Sequence, residues 1–274
     1  MAILTPQTLT TSHHETFATD GVVKIEQAVD VTWVDQLLEV AERELIQPGD
    51  WVTDSNPGAT VNRLFTTRYL WRHDPVIRSF VYDSGIAGMV GELLGATSTR
   101  LYFDHTLVKE PNTTAPTPWH QDIPYWPFLG KQIGSAWVAL TSTTVAASSL
   151  EFIRGSHKWD NYYAPEGFDD SVTWTAEFDG PKVPDIDAAR DDYDIVGFDV
   201  EPGDALIFSA WTLHGAPSNA GDNRRAAFST RWLGDDSSWA PHPGCDPTVT
   251  QDDVSVAPGD YPADDDRFPI CWSR

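Results

Sequence analysis

The chain has 274 residues, of which 41% are hydrophobic, and its 41 Asp and Glu against 18 Lys and Arg give a formal charge of −23. This length supports one large β-rich domain with a substantial core. So negative a surface disfavours nucleic acid and anionic membranes as partners. No stretch approaches the ~18 apolar residues of a membrane span. The N-terminal residues are unlike a secretory signal, so we expect a cytoplasmic protein.

Cysteine use fits the same picture. Only Cys245 and Cys271 occur, and a chain of this size needs no disulfide scaffold. We interpret them as free thiols in a reducing compartment, with a single disulfide as the alternative.

The first hundred residues predict helices. Apolar residues recur at helical spacing over residues 30–46, with Thr32 as the expected N-cap. Asp74 followed by Pro75 is typical of a second helix start. We expect this helix to break at residues 84–85 and to resume until Gly95 ends it.

Beyond residue 98 the pattern changes to short β-rich runs separated by turn signals. Helices followed by many short strands favour a β-sandwich or barrel with helices covering one sheet. The expected strands are residues 101–109, 135–143, 149–153, 195–200, 205–209 and 226–233. Residues 162–194 form a long Asp-, Pro- and Gly-rich loop, a candidate lid. The segment from Asp235 onward lacks periodicity and is expected to wrap the surface.

Residues 117–126 carry the most informative motif, in which His120 and Asp122 stand two positions apart. In a strand, such side chains point to the same face, so both could bind one ion while Gln121 points away. His214, which follows an apolar run, offers a third ligand. Two histidines and one carboxylate are the ligand set of non-haem Fe(II) oxygenases.

Arg225 lies eleven residues beyond His214, where the next strand is expected to begin. That spacing allows the chain to turn and return on a neighbouring strand, with Arg225 pointing into the same cavity. A buried guanidinium beside a cation requires an anion between them, and its planar fork suits a carboxylate. The implied ligand is a diacid that chelates the metal, and 2-oxoglutarate has that shape.

With these residues in place, the chain resembles the phytanoyl-CoA dioxygenase-like (PhyH) family of Fe(II)- and 2-oxoglutarate-dependent oxygenases. The resemblance spans roughly residues 101–236. Besides the motif residues, it covers the runs 104–111, 135–140, 150–158 and 229–236. It implies an α+β chain whose core is a double-stranded β-helix, a cupin-like jelly roll, with N-terminal helices packed on one sheet. We expect a single domain over residues 1–274, with a catalytic core at about 99–236.

The family pattern also implies site residues. His120, Asp122 and His214 would be the catalytic iron ligands, and Arg225 would bind the distal carboxylate of 2-oxoglutarate. Trp137 would line the cosubstrate pocket, with a core tryptophan as the alternative. Lys109 would make a polar cosubstrate contact, with a surface lysine as the alternative. The chain departs from relatives that place a serine two residues after the distal histidine, because Ala216 stands there, which puts one hydroxyl contact in doubt.

Three further residues are candidates for contacting the substrate. Tyr125 and Trp126 belong to an aromatic cluster near the expected mouth of the site, with core packing as the alternative. Arg231 lies six residues past Arg225 on one strand, so both share a face; a surface salt bridge is its alternative. For His105 we expect burial with a hydrogen-bond partner.

The resemblance implies that O2 and 2-oxoglutarate are consumed to give succinate and CO2 while a small-molecule substrate is oxidised. Related halogenases replace the carboxylate ligand with a small residue, whereas Asp122 is retained here, which favours hydroxylation of an unactivated C–H bond. Two alternatives stay open. One is a jelly-roll metalloenzyme that does not use 2-oxoglutarate, and the other is a non-catalytic metal-binding module. The pattern specifies neither the substrate nor the oligomeric state.

Overall fold

The computed structural model describes residues 8–167, 175 and 178–274. Its helices are α1 (Thr11–Asp20), α2 (Val31–Ile46), α3 (Pro75–Asp83) and α4 (Ile86–Leu94). Its strands are β1 (Val22–Ile25), β2 (Val52–Asp54), β3 (Leu64–Arg68), β4 (Ser98–Lys109), β5 (Thr117–His120), β6 (Phe128–Leu129), β7 (Ile133–Ala139), β8 (Glu151–Ile153), β9 (Ile195–Gly197), β10 (Ala205–Ser209), β11 (His214–Ala216), β12 (Arg225–Leu233), β13 (Ser238–Trp239) and β14 (Ile270–Ser273).

Two antiparallel sheets form the centre of the molecule. The large sheet has the order β1-β10-β7-β12-β4-β3-β2, with β14 also paired to β4. The small sheet has the order β5-β11-β8-β9, and β13 pairs with β6 separately. Apolar side chains of β7 and β10 pack against those of β8 between the sheets, chiefly Trp137, Phe208 and Phe152. The result is a jelly-roll core whose interior lies between a large and a small sheet.

The helices cover one face of the large sheet. Buried residues of α2, α3 and α4 join one cluster with residues of β7, β10 and β12. Asp30 caps α2, because its side chain accepts a hydrogen bond from Thr32 N at 2.8 Å. The prediction that Thr32 is the cap was therefore wrong by two residues. The break between α3 and α4 and the end at Gly95 lie where the sequence predicts them.

The C-terminal segment does more than wrap the surface. Trp239 and Phe268 are completely buried and pack with Phe128 and Tyr102 in a second core cluster. β14 then extends the large sheet by pairing with the start of β4. The sequence hid this role because isolated aromatic residues in a Pro- and Asp-rich segment show no periodicity.

Part of the expected lid, residues 162–194, lies outside the described residues; those that the structure describes include a 3-10 turn at Asp187–Asp192. Cys245 and Cys271 are free thiols. Among the described residues, no helix has both the length and the apolar content needed to cross a bilayer.

Candidate metal centre and cosubstrate pocket

Two strands of the small sheet bring the candidate histidines together. β5 ends at His120 and β11 begins at His214, and the two residues are directly paired in register. Their imidazole centroids lie 4.2 Å apart. Gly215 permits the close approach, because a Cβ atom there would lie only 3.0 Å from Thr117 O on β5. The pairing of β5 with β11 thus joins residues that are 94 positions apart in the chain.

Asp122 joins the histidines by a route that the sequence analysis did not predict. It lies beyond the end of β5, with helical backbone angles of −72° and −38°, and leads into a 3-10 turn at Ile123–Tyr125. The expectation of a continuous strand through Asp122 was therefore wrong. The turn places Asp122 Oδ1 3.6 Å from His120 Nε2 and 3.9 Å from His214 Nε2. One potential ligand atom from each residue falls within 4.8 Å of the others.

Backbone carbonyls orient both imidazoles. His120 Nδ1 lies 2.8 Å from Pro118 O, and His214 Nδ1 lies 2.9 Å from Thr212 O. An Nδ1–H that donates to a carbonyl leaves the Nε2 lone pair for a metal ion. Burial, assisted by the neighbouring His120, lowers the pKa of His214 to about 3. His214 is therefore neutral at physiological pH, as a ligand must be.

The large sheet fixes the carboxylate of Asp122. Ser135 Oγ donates to Asp122 Oδ2 at 2.6 Å, and Arg231 Nε lies 3.5 Å from the same oxygen. Ser135 and Arg231 are directly paired across β7 and β12. Burial by itself would raise the pKa of Asp122, but Arg231 and the adjacent imidazoles hold it well below its usual range. The carboxylate is therefore ionised, with Oδ1 toward the histidines and Oδ2 engaged by the protein.

Gln121, between two candidate ligands, joins three segments. Its Nε2 donates to Trp211 O at 2.9 Å and to Asn161 O at 3.1 Å, and its Oε1 accepts from Tyr163 N at 3.2 Å. The side chain points away from the metal face, as alternation predicts. By binding Trp211 O, it ties the first motif to the segment that leads into His214.

The expected carboxylate-binding arginine is buried and has no anionic partner among the residues that the structure describes. Arg225 is 3% exposed, and its Nε donates to Ser148 O at 3.1 Å, while its Nη1 is buried with no hydrogen-bond partner. Its guanidinium carbon lies 5.7 Å from the centre of the Trp137 ring. A buried, unsatisfied cationic donor is costly unless a ligand completes it. This orphaned atom fits the carboxylate of a diacid.

Lys109 is a second buried basic residue and lies beside Arg225. It is 1% exposed, pairs directly with Arg225 across β4 and β12, and donates from Nζ to Pro217 O at 3.1 Å. Burial, together with Arg225, lowers the pKa of Lys109 to about 6. The alternative of a surface lysine is excluded. Neither Lys109 nor Arg225 has an acidic partner in the described part of the chain, and the adjacent Glu110 is engaged by Arg224.

A single cavity of about 180 Å³ connects the candidate metal ligands with the arginine, because its lining includes all three candidate ligands, Arg225 and Trp137. The three expected substrate contacts also line it: Tyr125, Trp126 and Arg231. Arg231 is 7% exposed and pairs with Asp122, so the alternative of a surface salt bridge is wrong. His105 lines the cavity with a buried Nε2 that lacks a hydrogen-bond partner, contrary to our expectation.

Sequence reasoning missed several residues of the site. Ser135 stands in an apolar strand pattern, Arg68 lies more than fifty positions before His120, and Asp246 lies in the segment without periodicity. No local signal connects them to the motif. Only the alternation of β3 could have indicated that Arg68 shares a face with Thr66.

Two imidazoles, one carboxylate with a single oxygen toward them, and open space beside them fit an iron ion that would keep free coordination positions. The jelly-roll core, this donor set and the orphaned arginine define the class of non-haem iron enzymes that use a 2-oxoacid cosubstrate. The comparisons agree. The family model for phytanoyl-CoA dioxygenase (PhyH) matches residues 17–227, and the chain belongs to that family of iron- and 2-oxoglutarate-dependent oxygenases.

A probable phytanoyl-CoA dioxygenase of Caenorhabditis elegans is 28% identical over 173 residues, which is 60% of this chain and 52% of the relative. The chain thus spans about half the length of that protein. The carbocyclase SnoK from nogalamycin biosynthesis, described as non-haem and alpha-ketoglutarate dependent, has a TM-score of 0.74 at 24% identity, covering 96% of each chain. The epimerase SnoN, solved with Fe3+, alpha-ketoglutarate and nogalamycin RO, has a TM-score of 0.72 at 22% identity, covering 95% of this chain and 98% of SnoN.

These findings confirm the predicted family, the jelly-roll fold and the enzyme class. They also confirm the cofactors Fe(II), 2-oxoglutarate and O2. The relatives include enzymes with different named outcomes, so the reaction of this chain is a separate question.

Proposed function

We propose that this chain hydroxylates an unactivated C–H bond of a small organic molecule. One atom of O2 enters the product and the other enters succinate, while 2-oxoglutarate loses CO2. The observation that carries the proposal is the shared cavity, in which the set His120, Asp122 and His214 lies together with an unpartnered arginine Nη1. When bound, iron with 2-oxoglutarate would supply the O2 activation that no amino acid side chain provides.

The protein groups would each do one task. His120, Asp122 and His214 would hold the ion through three ligands and leave positions open. Ser135 and Arg231 would keep Asp122 monodentate by engaging its second oxygen. These roles follow from the hydrogen bonds and the ion pair already described.

The cosubstrate would be held at its distal carboxylate. Arg225 would use its free Nη1 in a bidentate pair, and Lys109 would add a second positive charge. Trp137 would form one side of the pocket beside the guanidinium. An enzyme that did not use 2-oxoglutarate would leave the buried Arg225 cation without an anion, which disfavours that alternative. A non-catalytic module is disfavoured for the same reason, since a vestigial site has no need of a buried, unpaired arginine.

Retention of Asp122 supports hydroxylation over halogenation, because the carboxylate occupies a coordination position that a halide would need. Ring closure and epimerisation, the outcomes named for two enzymes of the same fold, are the competing results. They differ in mass balance. Hydroxylation adds one oxygen atom, ring closure removes two hydrogen atoms and epimerisation leaves the mass unchanged.

The test is succinate release from 2-oxoglutarate by the Fe(II)-loaded enzyme in air, with and without a panel of small organic molecules. We expect release that requires Fe(II) and that His214→Ala abolishes. Mass spectrometry of any consumed panel member then identifies the outcome. Turnover without 2-oxoglutarate, or a product that gains no oxygen, would contradict the proposal.

A further inference from the structure

The cavity wall continues away from Arg225 along one row of the large sheet. Ser229 of β12 pairs with His105 of β4, and His105 pairs with Arg68 of β3. Directly paired residues point to the same face of a sheet, so these side chains stand side by side. His105, Arg68 and the neighbouring Thr66 line the cavity. None of them takes part in the metal or cosubstrate contacts described above.

An ion pair holds Arg68 in this wall. Arg68 Nη1 lies 2.5 Å from Asp246 Oδ2. The second oxygen, Asp246 Oδ1, accepts from Thr248 N at 2.9 Å and from Thr248 Oγ1 at 2.5 Å. Asp246 N also donates to Tyr125 O at 2.7 Å. Both oxygens of the carboxylate therefore accept from protein donors. The backbone of Asp246 connects the C-terminal segment to the turn that follows Asp122.

Arg68 keeps unused donors. A guanidinium carries five N–H groups, whereas within the described residues the side chain of Arg68 donates one hydrogen bond, from Nη1 to Asp246. Its side chain is 27% exposed and lines the cavity. Nearby, His105 Nε2 is buried and has no hydrogen-bond partner in the described parts of the chain. Burial, together with Arg231 and Arg68, lowers the pKa of His105 well below its usual value, so the imidazole is neutral.

Charge is balanced at this part of the cavity. Arg68 is matched by Asp246, and Arg231 is matched by Asp122. The lining of the cavity also includes the threonines Thr53, Thr66 and Thr117, and its aromatic walls are Phe103, Tyr125 and Trp126. An anionic ligand beside Arg68 would meet the buried charge of Asp246, and like charges at close range repel. Arg225, which lines the same cavity, is different, because its positive charge has no acidic partner among the described residues.

We propose that Arg68 and His105 form a substrate-recognition site for an uncharged, oxygen-bearing molecule. A hydroxyl or carbonyl oxygen of the substrate would accept a hydrogen bond from Arg68. The imidazole of His105 would form a second hydrogen bond with the substrate. The apolar face of the molecule would pack on Phe103 and Trp126. A cavity of about 180 Å³ admits a small molecule or the reacting part of a larger one. This inference rests on the proposed function and names the chemical class of its substrate.

The test uses matched probes that differ in charge: methyl 4-hydroxybenzoate and related hydroxylated aromatic methyl esters, each with its free acid. Binding is measured by ligand-observed NMR titration of the enzyme loaded with Zn(II) and 2-oxoglutarate, which cannot turn over. We expect the esters to bind at least about tenfold more tightly than the acids. Arg68→Met should abolish this ester affinity. Asp246→Asn should lose the discrimination, because the acids then meet an unmatched arginine.

Controls separate this inference from the proposed function. Arg154→Met, at a surface arginine that is 44% exposed, should bind the esters like wild type. 2-Oxoglutarate affinity and thermal unfolding are measured in every variant, so a folding defect is recognised. If the wild-type enzyme does not bind 2-oxoglutarate, the proposed function is contradicted. Three results, each with normal 2-oxoglutarate binding, would overturn the recognition site alone. They are tighter binding of the acids than of the esters, ester binding that Arg68→Met does not change, and no binding of any probe at millimolar concentration.

Discussion

Arg231 Nε lies 3.5 Å from Asp122 Oδ2, in an ion pair whose side chains are 9% and 8% exposed. Ser135 donates to the same oxygen. One oxygen of the carboxylate, Oδ2, is therefore bound by Ser135 and Arg231, whereas the other, Oδ1, faces the two imidazoles. Groups that orient a ligand in this way contribute to metal affinity without touching the metal.

The first prediction concerns Arg231→Met. The variant removes the charge while keeping an apolar side chain in the aromatic setting of Phe103 and Trp126. Because Asp122 can then rotate, we expect Mn(II) affinity to fall by about 10- to 100-fold. Isothermal titration calorimetry measures it, with Arg154→Met as the surface control. An unchanged affinity would mean that Arg231 does not position the carboxylate.

The second prediction concerns the carboxylate pocket. Arg225→Met should weaken 2-oxoglutarate binding by about 30-fold or more, since truncating one partner of a buried charge pair costs about 2–5 kcal/mol. Lys109→Met should have a smaller effect. Both variants should keep Mn(II) affinity, because neither residue lies among the candidate ligands. If 2-oxoglutarate affinity survives Arg225→Met, the assignment of the cosubstrate pocket is wrong.

The third prediction is a pH dependence that Lys109 introduces. Its pKa is about 6 in the free protein, and a bound carboxylate would raise it because the anion favours the charged amine. At a pH above about 6, Lys109 is neutral in the free protein and takes up a proton when 2-oxoglutarate binds. The affinity for 2-oxoglutarate should therefore fall as pH rises from about 6, by up to about tenfold per pH unit. Calorimetry in buffers of different ionisation enthalpy measures this uptake. The uptake should vanish in Lys109→Met, and its persistence there would assign it to another group.

The fourth prediction concerns Gln121→Leu. The substitution removes the side-chain partner of the backbone N–H of Tyr163, whose hydrogen bond is buried, and of the carbonyl of Trp211, whose hydrogen bond is partly buried. Each unsatisfied buried group costs about 1–3 kcal/mol, so thermal stability should fall measurably. Gln36→Leu, on the exposed face of α2, is the matched control and should unfold like wild type. A Gln121→Leu protein as stable as the control would contradict the bridging role.

The sequence predicts some parts of this molecule because their signals are local. Asp74, Pro75 and Gly95 mark the ends of α3 and α4, and the strand that starts at Arg225 follows from its apolar and aromatic residues. The two histidines and Arg225 were candidates because metal and carboxylate chemistry restricts residue types. We expect these three residues to lie in one cavity because a metal ion that binds a diacid requires all of them together.

Other parts depend on long-range pairing and had no local signal. The helical turn at Asp122 was missed because a His-x-Asp spacing suits both a strand and a strand end. Ser135 acquires its role only because β7 lies beside β12, and Asp246 only because the C-terminal segment returns to Tyr125. Such contacts arise from tertiary packing, which sequence periodicity does not encode.

The most direct test of the account is a crystal structure of the protein prepared without oxygen, with Fe(II) and 2-oxoglutarate bound. We expect one iron ion held by His120 Nε2, His214 Nε2 and Asp122 Oδ1. We also expect the distal carboxylate of 2-oxoglutarate on Arg225, close to Lys109. Iron bound by other residues, or a 2-oxoglutarate carboxylate that does not contact Arg225, would contradict it.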